Sequence, residues 1–65
     1  MKFKVIDKVT GETVTPQDIG ADMDFRPCEF DMGSFAILDD GGLVCLNNSG
    51  RTFHLDSERF KVEFL

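Results

Sequence analysis

Three clusters of turn-forming residues punctuate the second half of the chain: Asp39-Asp40-Gly41-Gly42, Asn47-Asn48-Ser49-Gly50 and Asp56-Ser57-Glu58-Arg59. The runs they leave, 34–38, 43–46, 51–55 and 60–65, are too short for stable helices and rich in Phe, Val and Leu. Short apolar runs separated by Asn, Asp and Gly at this spacing predict an antiparallel meander. In the last two runs Phe53, Leu55, Phe60, Val62 and Phe64 alternate with Thr52, His54, Lys61 and Glu63. A period of two puts the first set against a core and the second toward water. Runs 34–38 and 43–46 are apolar on both faces and are expected to be central in the sheet or covered by a loop.

The first half is less regular. Phe3 and Val5 alternate with Lys2, Lys4 and Ile6, which predicts a strand with Phe3 and Val5 inward. Residues 8–12 read as a turn with Gly11 free to take a positive φ, and Thr13-Val14 as a short return strand. Thr15-Pro16-Gln17-Asp18 is a helix-start signal: a capping hydroxyl, a proline suited to the first helical position and an acid near the positive end of the helix dipole. With Gly20 close behind, a single turn of 3₁₀ character is expected. Residues 20–33 show no clean period. They read as an ordered loop pinned by Phe25 and Phe30, with a short strand around 29–32.

A chain of 65 residues is expected to form one small domain over 1–65. It buries only roughly 60% of its unfolded surface, so its seven Phe are its main apolar resource. The expected fold is mainly β, a small antiparallel meander or an SH3-like, partly open β-barrel with one short helical turn. The opening residues are charged and alternating, with no apolar signal-peptide core behind them. No apolar run approaches the roughly 20 residues of a membrane span. A soluble, cytoplasmic protein with reduced thiols and no membrane partner is expected.

The charge distribution singles out one segment. The formal net charge is −5, yet residues 18–40 hold Asp18, Asp22, Asp24, Glu29, Asp31, Asp39 and Asp40 against Arg26 alone. Much of this is ordinary solvated surface, and Asp39 and Asp40 belong to a turn. The sharper reading is an acidic docking surface for a basic protein partner, centred on Asp22, Asp24, Glu29 and Asp31. The acidic balance disfavours direct nucleic-acid binding, which needs clustered Lys and Arg. The remaining basic option is an outer face carrying Lys2, Lys4, Arg51, His54 and Lys61.

Catalytic and metal chemistry find little to work with. His54 is the single histidine and falls on a polar strand face. No nucleophile signature surrounds Ser34, Ser49, Ser57, Cys28 or Cys45. Zinc would want four close Cys or His ligands, and the acids of 22–31 lack the order of a calcium loop. No enzyme activity, catalytic residue, metal or cofactor is expected. Cys45 reads as a small buried hydrophobe and Cys28 as the more exposed thiol.

The opening Lys2-Phe3-Lys4-Val5-Ile6-Asp7-Lys8-Val9-Thr10-Gly11 resembles the K-F-x-[VA]-[WI]-D-K-x-T-G strand and turn of small phage and prophage proteins of the YopX-like kind. Residues 56–64 are similar in character to the same proteins. This chain is shorter, and it lacks both the Trp that follows the first strand there and a later tyrosine-rich motif. The resemblance implies a phage or mobile-element origin and a β-rich fold, and carries over no catalytic residue. The functional expectation is a small acidic protein-binding module, an accessory or inhibitory protein. A structural homo-oligomer is the alternative, and a nucleic-acid-binding small barrel a third reading.

Overall fold

The computed structural model describes residues 2–65. Strand β1 (Phe3–Asp7) turns back into β2 (Thr13–Val14), followed by helix α1 (Pro16–Asp22) and a 3₁₀ turn (Pro27–Phe30). Strands β3 (Ser34–Ile37), β4 (Leu43–Leu46), β5 (Thr52–His54) and β6 (Phe60–Phe64) complete the chain. The protein is mainly β, as its turn spacing predicts. The strands form two three-stranded antiparallel sheets, β2-β1-β6 and β3-β4-β5, and close no barrel.

The β3-β4-β5 sheet is the first three strands of the expected meander; the fourth run, β6, does not follow β5 but pairs with β1 in the other sheet. Its first hairpin turns at Gly41, φ 88°, with Leu38 N–H donating to the Gly42 carbonyl at 2.7 Å. Asp40 contributes by accepting the Gly42 N–H at 2.8 Å. Strand β4 is central, with Leu43, Val44 and Cys45 all buried. Strand β3 is apolar on both faces but lies at an edge, leaving Ile37 and Leu38 partly exposed, contrary to the expectation of a covered strand.

The β2-β1-β6 sheet joins segments far apart in sequence, with Phe3 opposite Phe64 and Asp7 opposite Phe60. Val5 faces the core as expected. Ile6, expected outward, is also buried, because β1 is the central strand and Thr13 and Lys61 flank it on either side.

Helix α1 begins where the sequence places it. Thr15 accepts the Asp18 N–H through its hydroxyl, and Asp18 reaches back to the Thr15 N–H at 2.9 Å, forming a reciprocal capping box. Gly20 does not end the helix. It sits inside α1 and lets the Phe30 ring press on the helix backbone; a Cβ there would stand 2.7 Å from Phe30 Cε2. The helix ends instead in a Schellman arrangement. Phe25 N–H bonds the Gly20 carbonyl at 2.8 Å and Asp24 N–H bonds the Ala21 carbonyl at 3.2 Å. The strand expected at 29–32 is absent, since Pro27 starts a 3₁₀ turn through Phe30.

The core holds Val5, Ile19, Phe30, Leu43, Cys45 and Phe60. Phe30 is fully buried, and its ring packs edge-on to Phe25 at 5.7 Å and tilted against Phe53 at 5.8 Å. Residues 23–33 therefore form an aromatic plug between α1 and the meander, pinned by Phe25 and Phe30 as the sequence suggests.

Candidate functional site

The 3₁₀ turn within the acidic segment is tied to the turn between β4 and β5. Asn48, in the turn between β4 and β5, accepts the Met32 N–H at 2.6 Å and donates to the Cys28 carbonyl at 2.5 Å. Its own N–H donates to the Glu29 carbonyl at 2.8 Å. One asparagine thus satisfies three backbone groups of the 3₁₀ turn and its exit, fixing the backbone that carries Glu29 and Asp31. Nothing local in the sequence marks Asn48 for this role beyond its place in a turn cluster.

The four candidate carboxylates have different fates. Asp22, the last residue of α1, is already engaged: Arg59 donates to it through Nη1 at 2.9 Å and Nη2 at 3.4 Å. Asp24 occupies the left-handed position after the helix, φ 61°, where glycine is the least strained residue. Glu29 is half-buried in the 3₁₀ turn, and Asp31 is exposed just after it. Among the described residues no side-chain hydrogen bond or ion pair holds Asp24, Glu29 or Asp31. The four lie on one packed α1 and 3₁₀-turn unit, but among the described residues no three acids, thiols or imidazoles converge closely enough to share a cation.

Of the other acids in 18–40, Asp18 is spent on the α1 cap and Asp40 on its turn. The segment's net charge therefore overstates the free carboxylates available to a partner. Arg26, its one cation, is exposed.

A polar cluster beside this segment has no local sequence signal. Asp7, at the end of β1, is only 4% exposed. Its carboxylate accepts the Val9 N–H at 2.9 Å and the Arg59 Nη2 at 3.3 Å. The Val9 N–H is the main cause holding the Asp7 carboxyl below its usual value. Burial opposes it, and Arg59 adds to it through its hydrogen bond and charge. Asp22 first, then Asp7, raise the Arg59 guanidinium. Arg59 also lies over the Phe60 ring, 4.9 Å from its centroid, with Nε buried and without an acceptor. One arginine thus clasps the end of β1, the end of α1 and the entry to β6. Its partners are 37 and 52 residues away in the chain, beyond any motif window.

The remaining candidates fall where the sequence places them. His54 is exposed on the outer face of β5, Cys28 is exposed, and Cys45 is buried with its thiol pushed up by desolvation. Lys4 pairs with Glu63 at 3.7 Å across the outer face of the β2-β1-β6 sheet. Among the described residues no helix is long and apolar enough to cross a membrane. No family model matches the chain, and neither a curated protein nor a solved structure matches it.

Proposed function

We propose that this chain is a non-catalytic protein-binding module that docks a basic protein surface through its α1 and 3₁₀-turn unit. The observation that carries the reading is Asp24. A charged side chain without a partner among the described residues stands at a left-handed backbone position where glycine would cost least. Glu29 and Asp31 add unpaired carboxylates on a backbone already ordered by Asn48, so docking loses little further conformational freedom. Asp22 acts differently. Its charge is shared with Arg59, and it positions the unit rather than offering a free contact. The likeness of residues 2–11 to phage and prophage proteins supports placing the module among accessory or inhibitory proteins of mobile elements.

The test is capture from nuclease-treated bacterial lysate by the parent and by a triple Asp24→Asn, Glu29→Gln, Asp31→Asn variant. The expected result is a basic protein retained by the parent at low salt, released as salt rises, and lost by the variant. Capture that survives the triple substitution contradicts the reading. Asp22→Asn is expected to lower stability more than capture, since its carboxylate already faces Arg59.

A further inference from the structure

Strand β6 is bonded along one side only. Lys8 N–H donates to the Arg59 carbonyl at 2.7 Å and Leu65 N–H to the Lys2 carbonyl at 3.1 Å, bracketing the β1–β6 ladder. Antiparallel alternation then turns the backbone groups of Lys61 and Glu63 toward β1, and those of Phe60, Val62 and Phe64 away from it. Phe60 N–H is satisfied by the Asp56 carbonyl at 2.9 Å. Among the described residues the Val62 and Phe64 N–H and carbonyl groups and the Phe60 carbonyl remain as an open edge, because β6 pairs there with no strand but β1. At five residues it is the longest of the four sheet edges; β2, β3 and β5 have two, four and three.

The sequence of this edge is self-complementary. Phe60-Lys61-Val62-Glu63-Phe64 reads apolar, positive, apolar, negative, apolar. About a two-fold axis at Val62, an antiparallel second copy sets Val62 against the partner's Val62 and Phe64 against the partner's Phe60. Lys61 then faces the partner's Glu63. The registers on either side set Lys61 against the partner's Lys61, or Glu63 against the partner's Glu63. Like charges directly opposite are destabilising, and a one-residue slip would also exchange the sheet faces, so the charges select a single register.

We propose that β6 is a symmetric dimerisation edge and that its occupant is a second copy of this chain, forming a continuous six-stranded sheet. Lysine on an open edge ordinarily discourages pairing; here the glutamate two residues away answers it across the symmetry axis. Glu63 then lies between Lys4 of its own chain and the partner's Lys61, while Lys61 has no ion pair among the described residues of one copy. Phe64, 57% exposed in one copy, gains the partner's Phe60 as a cross-strand neighbour.

The experiment is sedimentation equilibrium of the parent, of Lys61→Glu and Glu63→Lys alone, and of the two variants mixed. The parent is expected to dimerise with concentration. Each variant alone sets like charges together on both sides of the axis and is expected to self-associate about tenfold or more weakly. The equimolar mixture restores opposite charges at both places and is expected to pair as the parent does. Both side chains are exposed, so circular dichroism is expected to show all species folded. Slower exchange of the Val62 and Phe64 amides at higher parent concentration reads the same edge without any substitution. A parent monomeric up to millimolar concentration overturns the proposal. So do variants that dimerise like the parent, or a mixture no tighter than its components. Loss of the acidic docking reading would leave this result unaffected, because Asp24, Glu29 and Asp31 lie outside β6.

Discussion

The two sheets are built by opposite means. In β3-β4-β5 each strand meets its neighbour through a tight turn, and side chains of the turns themselves, Asp40 and Asn47, close the backbone. In β2-β1-β6 the central pairing brings together residues such as Phe3 and Phe64. Closing so long a loop costs more entropy before any contact rewards it. That sheet is accordingly tied at its closing end by side-chain bonds at the ends of β1 and β6. Arg59 bridges Asp7 and Asp22, and Lys8 Nζ donates to the Ser57 carbonyl at 2.9 Å. Local hairpins set the register of the first sheet, whereas the second pairs distant segments and carries a charged clasp at its closing end. Phe30 joins a core to which both sheets contribute, and the acidic segment lies on the α1 and 3₁₀-turn unit that carries it.

The largest expected effect comes from removing what both sheets share. Phe30→Ala empties the centre of the plug and is expected to cost about 3–5 kcal/mol in thermal or denaturant unfolding, erasing the difference between the sheets. Gly20→Ala is expected to cost about 1–3 kcal/mol, since the added methyl drives the Phe30 ring off the helix. Asp24→Gly relieves a left-handed backbone position and is expected to stabilise the fold by about 1 kcal/mol, a few degrees in melting temperature, while removing one docking charge. Stability rising as capture falls would mark Asp24 as a functional rather than a structural choice.

Acid sharpens the comparison further. The Asp7 carboxyl is lowered in the folded protein, so its contribution is present above the unfolded value of about 3.9 and is lost as pH falls through the folded value. The parent's melting temperature is expected to fall below about pH 4, and Asp7→Asn to flatten that fall while lowering stability at neutral pH. An unchanged pH profile in Asp7→Asn would contradict the lowered Asp7 carboxyl. The smallest effect is chemical: Cys28 is expected to react with a thiol reagent in the native protein and Cys45 only after unfolding.

The same contrast explains what the sequence could show. The β3-β4-β5 meander was legible because its signals are local turn clusters at short spacing; the departure of β6 to pair with β1 was not, because that pairing joins residues far apart in the chain. The start of α1 was legible for the same reason, through Thr15, Pro16 and Asp18. Gly20 misled because a glycine that ends a helix and one that admits a neighbouring ring look alike without the ring. The 3₁₀ turn was hidden because Phe25 and Phe30 answer to Phe53 and Gly20, not to a period of their own. Charge counting singled out Asp22, Asp24, Glu29 and Asp31 alike, but it could not see that Arg59 pairs with Asp22.

Native-state hydrogen exchange on the parent and on Arg59→Gln, at neutral pH and by individual amide, tests the contrast most directly. With the clasp cut, the amides of Ile6, Lys8 and Lys61 are expected to exchange faster while those of Ala36, Val44 and Cys45 keep their protection. Equal acceleration in both sheets, or none in β1 and β6, would contradict the claim that one sheet stands on its turns and the other on its clasp.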